Sequence, residues 1–365
     1  MTKENKTLSE FQLALNQFKR NKAAVICTVI LSLLYATAIF ADFLSPYSYK
    51  TEAREFSYAP ASKIHFWDNG KFTRPFVYGL MVDIDQNHQR IYRENKAQKF
   101  PVRIFSPGDG YRLLGFIPCS YHLFGVKEGG MIYLLGADSR GRDLFSRLLY
   151  GGRISLSIGL IGVAISFTIG LIIGGISGYY GGRLDDVLMR VCEMFMMVPG
   201  FYLLLALRAA VPDDFNSLQV YFAIIVILSF IGWAGLARII RGMCLSLRER
   251  DYVLAAKTLG LNDFRIIVHH VLPHTLSYSI FAIMLSVPGY ILGESALSLI
   301  GLGIQDPFAS WGNMLSDAMS IVRIKFYPWI LWPAFFIFLT VICFNVIGDA
   351  LRDCLDPMMK SERNA

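Results

Sequence analysis

"RDYVLAAKTLGLNDFRIIVHHVLPHT" occupies residues 250–275. It is basic and amphipathic, has a glycine at its centre, and stands between two long apolar runs. Ala, Leu, Arg and Lys favour a helix over its first half, and Gly260 suits the left-handed position that follows a helix C-terminus. Asn262 is placed to cap a second helix over "DFRIIVHHVL", with Asp263 in its first turn. Pro273 predicts a break or kink before the next apolar run. Ala255 and Ala256 make a small-side-chain face, and Tyr252 and Leu259 are candidate apolar anchors. Such a short helix with a tight turn suits a groove on another protein. Its basic residues equally suit lipid headgroups. Physics alone leaves both readings open.

The surroundings of this segment are those of a membrane protein. The chain has 365 residues, is 54% hydrophobic and only 17% charged, with a mean hydropathy of +0.44. A soluble domain carries about 25% charged residues. Uncharged runs near the bilayer length of about 20 residues fall at 23–41, 154–180, 187–207, 218–237, 275–292 and 326–347. The third is the weakest, because Arg190 and Glu193 sit in its first turns; one helical turn apart, they can pair. Residues 23–41 also have features of a signal peptide, but the apolar run and its polar leader are long for one, and an uncleaved anchor is expected.

The formal net charge of +7 is spread around the apolar runs rather than along one stripe, which argues against nucleic acid. Lys3, Lys6, Lys19, Arg20 and Lys22 precede the first run; Arg238, Arg241, Arg248, Arg250, Lys257 and Arg265 follow the fourth. The positive-inside rule then places both termini and the 238–274 loop in the cytoplasm. The long connection between the first two runs falls outside. It is aromatic-rich, broken by Gly and Pro, and strand-like at "FPVRIF", so a small ordered subdomain is expected. Gly170, Gly174, Gly178 and Gly182 repeat every four residues, a spacing that lets helix backbones approach closely in lipid.

Cys27, Cys119, Cys192, Cys244, Cys343 and Cys354 show no metal spacing and read as free thiols. His269, His270 and His274 cluster, but Pro273 interrupts the helical geometry a metal site would need, and no metal is expected. There is no G-x-x-x-x-G-K-[ST], no H-E-x-x-H and no G-x-S-x-G. If ATP drives this chain, a partner binds the nucleotide. No catalytic constellation is visible. An ion-coupled secondary transporter is the rival reading, but charge within the spans is sparse and no internal repeat is evident.

The segment at 250–275 resembles the "EAA" loop of binding-protein-dependent ABC transporter permeases. Ala255, Ala256, Gly260, Leu272 and Pro273 stand at the family positions, and Leu254 replaces the glutamate. The likeness extends to "LLGADSRGRDLFSRLLYGGRISLSIGL", "GYYGGRLDD", "GESALSLIGLG" with "SWGNML", and "NVIGDALRDCLDP". These motifs are similar to the dipeptide/oligopeptide/nickel group, in its second, "C"-type permease subunit. The resemblance implies an all-α polytopic fold of six transmembrane helices, as in type I ABC importers, with an extracytoplasmic insert between helices 1 and 2. The expected organisation is a cytoplasmic leader 1–22, helix 1 at 23–41, insert and pre-helix segment 42–153, a five-helix core 154–348 containing the coupling loop 238–274, and a cytoplasmic tail 349–365.

The resemblance further implies a bacterial inner-membrane permease subunit that forms half of a pathway for peptides, with nickel or another small solute as the alternative cargo. Its implied partners are a homologous permease, two ATP-binding subunits that use ATP and Mg, and an extracytoplasmic solute-binding protein. Tyr252, Leu254, Ala255, Ala256, Leu259, Gly260 and Pro273 would couple it to the ATPases. Glu294, with Gly293, Gly301 and Gly303, is the candidate gate or pathway lining, since a carboxylate near a membrane-embedded segment is a functional candidate. Arg140, Arg142, Asp143 and Arg147 form a polar patch that can pair internally or face the solute receptor, and internal pairing is the expectation.

Overall fold

The computed structural model describes residues 10–355, apart from 69, 85–89, 114, 128 and 213. Lys3, Lys6 and the end of the "NVIGDALRDCLDP" motif lie outside the described residues. The long helices are α1 (Glu10–Arg20), α2 (Lys22–Ile39), α3 (Leu144–Tyr180), α4 (Gly182–Met197), α5 (Gly200–Ala209), α6 (Ser217–Leu247), α7 (Asp251–Thr258), α8 (Leu272–Leu299) and α9 (Trp332–Leu355). Among the described residues, five helices are long and apolar enough to cross a membrane, and a bent pair can supply a sixth. As the sequence predicts, the membrane part is helical. The helices overrun the apolar windows: α3 has 37 residues, about 55 Å at 1.5 Å per residue.

The third predicted span needs correction. Residues 187–207 are not one straight helix; α4 and α5 meet at 87°. Val198 is extended (φ −84°, ψ 126°) and precedes Pro199, which disfavours helix in its predecessor and has no N–H to continue the ladder. Arg190 and Glu193 do pair, at 2.8 Å, on the exposed face of α4.

The insert is built mainly of strands. Four strands, β1 (His65–Asp68), β2 (Lys71–Ile84), β3 (Arg90–Leu113) and β4 (Ile117–Val126), form an antiparallel meander in chain order. The first half of β3 pairs with β2 and the second half with β4, changing partner between Pro101 and Val102. "FPVRIF" lies across this change, where each half of β3 has one unpaired edge that tolerates Pro101, and the register with β4 shifts between Pro107 and Tyr111. Gly115 (φ +85°) supplies the left-handed residue of the β3–β4 turn. Ala59, Tyr133 and Ala137 form a buried core beneath, with Leu80 and Tyr92 of the sheet packed on it.

The chain divides into two compact units, one of Met1–Leu31, Ile158–Gly293 and Leu339–Ala365, the other of Ser32–Ser157 and Glu294–Phe338. In the first, the glycine ladder seats α3 on α6. A β-carbon at Gly174 would lie 2.4 Å from the Ala237 carbonyl oxygen, and one at Gly178 would lie 2.5 Å from Cys244 Cβ. Gly170 faces Leu236. Gly182 is not a rung: nothing approaches it, and its φ of +59° serves the turn into α4. Helix α3 ends at Tyr180, so the four-residue repeat outlasts the helix that would give it one face.

Candidate functional site

The loop after α6 builds a small platform. Helix α7 buries Val253 and Ala256, one turn apart, in a cluster with Ile240, Cys244, Ile266 and Val271. Leu261 N–H donates to the Ala256 carbonyl and Gly260 N–H to that of Lys257, the paired bonds of a Schellman end. Gly260 takes φ +79°, as its position predicts. The Asn262 side chain accepts from Arg265 N–H at 2.8 Å and starts the next helical turn. Tyr179, near the end of α3, donates to Asp263 at 2.8 Å and fastens that turn from the side.

With one face committed inward, the other is left exposed. Tyr252, Leu254, Ala255 and Gly260 lie outward, and Leu259 is 81% exposed. Ala255 and Ala256 therefore do not share a face: adjacent helical residues point about 100° apart, and only Ala256 is buried. Tyr252 packs its ring 5.1 Å from that of His274. Phe264, beyond the turn, extends the outward apolar set. Pro273 does not break the chain. A π-turn over Ile267–Val271 leads directly into α8, with Leu272 N–H donating to the Ile267 carbonyl. The wider turn lets the helix pass a residue that lacks the usual donor.

Sequence reasoning did not single out the floor of this platform. Val253 stands three residues before Ala256, a spacing that would have shown it. Nor did it find Asp185, which accepts two bonds from the Arg241 guanidinium and one from Ser177 Oγ, tying α4, α6 and α3 together beside the platform.

In the second unit, Glu294 is fully buried. Ser298 donates to one carboxylate oxygen at 2.6 Å and Ser155 to the other at 3.1 Å. Ser155 in turn accepts from Trp311 N–H, and Ser298 from Ile304 N–H. The carboxylate therefore fastens the loop after α8 to α8 and α3. A β-carbon on Gly303 would collide with Ser298, so that glycine is a packing requirement. Gly293, in the first unit, faces Leu228. Gly301 (φ +82°) borders a cavity of about 220 Å³ that is also lined by Arg140, Arg142, Arg147 and Asp306.

That cavity sits over an ionic network. Arg142 reaches Asp138 and Asp306, each at 2.7 Å, while Arg147 and Arg140 reach Asp306 at 3.4 and 3.1 Å. Burial alone would raise the Asp306 carboxyl, but Arg142, with Arg147 and Arg140, holds it below the ordinary range. Asp143 stays apart and caps α3, accepting from Ser146 N–H at 2.8 Å and from the Ser146 hydroxyl at 2.6 Å. Burial, with the Asp138 charge adding to it, pushes the Asp143 carboxyl up to about 6 from 3.8, against the pull of its hydrogen bonds.

A carboxyl raised in the fold stabilises it fully below the unfolded value, and that stability is lost as pH rises through the folded value. A shift of this size is worth up to about 3 kcal/mol. The detergent-purified chain should therefore melt at lower temperature as pH rises from 5 to 7. Asp143→Asn, which keeps an acceptor for Ser146, should flatten that slope; an unchanged slope would contradict the assignment.

Among the described residues, no group of three or more His, Cys, Asp or Glu is placed to hold a metal ion.

Comparison with known proteins follows the same outline. Residues 170–361 match the model for the binding-protein-dependent transport system inner membrane component, and residues 9–61 match that for the N-terminal TM domain of oligopeptide transport permease C. The chain is 44% identical over 225 residues to the dipeptide transport system permease protein DppC of Bacillus subtilis (strain 168), covering 62% of this chain and 68% of that protein. It is 44% identical over 226 residues to the oligopeptide transport system permease protein OppC of Haemophilus influenzae, covering 62% and 70%. It is 31% identical over 356 residues to the oligopeptide transport system permease protein OppC of Bacillus subtilis (strain 168), covering 97% and 92%. Multi-pass, helical and matched to that family over more than half its length, the chain is a transport permease rather than an enzyme, and belongs to the inner membrane components of binding-protein-dependent transport systems.

Proposed function

We propose that this chain is the second permease subunit of an ATP-driven peptide importer. It forms half of the translocation pathway against a homologous permease, with two ATP-binding subunits on the cytoplasmic side and a solute-binding protein outside. The relatives' names, which specify dipeptides and oligopeptides, support the peptide cargo. The basic flanks of the first span and of the α7 loop support cytoplasmic termini. The organisation is then a leader, one span, an outer insert and a five-span core.

The observation that carries the coupling role is the outward face of α7. Val253 and Ala256 anchor the helix, and Tyr252, Leu254, Ala255 and Leu259 face away from the fold. A short helix held from behind by its own core transmits a push or pull without bending. Closure of the ATPase dimer moves α7, and the π-turn and α8 carry that motion into the spans. The energy comes from the different affinities of the two states for ATP.

Single cysteines at Ala255 and Leu259, with native cysteines replaced, test this in the assembled transporter. Crosslinks to the ATPase subunits that change with ATP are the expected result. No crosslink in a correctly assembled complex would remove the coupling role.

A further inference from the structure

The β3–β4 hairpin leaves large apolar side chains exposed. Phe116 is 70% exposed at its turn; Ile104, Phe105, Ile117 and Tyr121 are exposed along its length. Between residues 102 and 126 the formal charges are Arg103, Asp109 and Arg112. Apolar surface of this kind, kept in water, marks an interaction site.

The hairpin's place narrows the choice of partner. The first span ends at Ile39, and the short helix Ala41–Leu44 that follows packs on both β3 and β4. Phe43 lies 6.1 Å from Phe105, ring centre to ring centre. The base of the hairpin, at Phe105, therefore lies beside the short helix that ends the first span. At the same level Arg153 donates to the carbonyls of Ala38 and Ile39, each at 3.0 Å, and to Asp42 at 2.9 Å. An arginine and aromatic rings at the end of a span mark the headgroup region.

We propose that the β3–β4 hairpin is an interfacial anchor that lays Phe116, Ile117, Ile104 and Phe105 into the outer leaflet of the membrane beside the first span. The surface is continuous with the membrane-spanning segment. Its composition of aromatic and aliphatic side chains, with two arginines (Arg103, Arg112) and a single carboxylate (Asp109), fits the boundary between headgroups and acyl chains. A receptor protein that docks and leaves would find little charge here to steer it. The proposal rests on the membrane assignment of α2 and is independent of the cargo and of the coupling role of α7.

Nitroxide labels at Phe116→Cys and Ile104→Cys, in the assembled transporter in lipid nanodiscs with native cysteines replaced, test it. The comparison site is Phe72→Cys, an equally exposed aromatic near the β1–β2 turn. Oxygen should reach the labels at 116 and 104 more readily than a water-soluble nickel chelate does, at a depth of about 5–10 Å below the phosphates. The Phe72 label should show the reverse. Equal nickel access at 116 and 72 would overturn the proposal. So would a 116 label shielded only after the solute-binding protein is added, which would make the hairpin a docking surface.

Discussion

Leu259→Asp should reduce peptide uptake in reconstituted vesicles by about thirtyfold or more, the effect of losing a contact worth about 2 kcal/mol at an interface centre. Leu259 is the most exposed large apolar residue of the α7 platform and stands at its C-terminal end. Its backbone N–H donates to the Ala255 carbonyl, a bond aspartate also makes. The chain should therefore melt as before and still reach the membrane. Uptake that survives in Leu259→Asp would separate the platform from energy coupling. The buried neighbours should behave differently: change at Val253 or Ala256 acts first on folding, because both belong to the core with Ile240 and Val271.

Glu294→Ala carries the second large effect, and here stability is the readout. The substitution leaves the Ser155 and Ser298 hydroxyls without their acceptor in a buried site. At about 1–3 kcal/mol for each unsatisfied group, the loss lowers the melting midpoint by about 10 °C. Glu294→Gln keeps the volume and one acceptor oxygen and should recover most of it. A pathway residue would show the opposite pattern: in Glu294→Gln, melting would hold while uptake fell.

Much of the fold was legible because lipid imposes a simple rule. Apolar length gave the spans, and the Gly260 and Asn262 signals gave the turn of the platform, since a left-handed residue and an N-cap are local requirements. What the sequence hid depends on long-range partners. Glu294 is held by serines 139 residues before it and four after it, and no periodicity shows that pairing. The β-meander was visible at "FPVRIF" alone, because strands with prolines and few alternations give weak local signals. Val198–Pro199 did announce the bend between α4 and α5, but apolar length outweighed it. Gly182 extended a repeat past the end of its helix, and spacing cannot show where a helix stops. Pro273 suggested a break because a proline excludes the ordinary α-turn, not the wider π-turn that accommodates it.

The π-turn at Ile267–Val271 sets a phase between two parts of the molecule. A π-turn holds one residue more than an α-turn, and each residue of helix corresponds to about 100° of rotation. Side chains upstream of Ile267 are thus clocked against those of α8 by that single surplus residue. Ironing it out would leave the hydrogen bonds of a regular helix available at this turn except the one Pro273 cannot make. It would also swing the α7 platform about a quarter-turn around the axis of α8. The platform's aim and the span's orientation are two readings of one dial, and the surplus residue is where it is set.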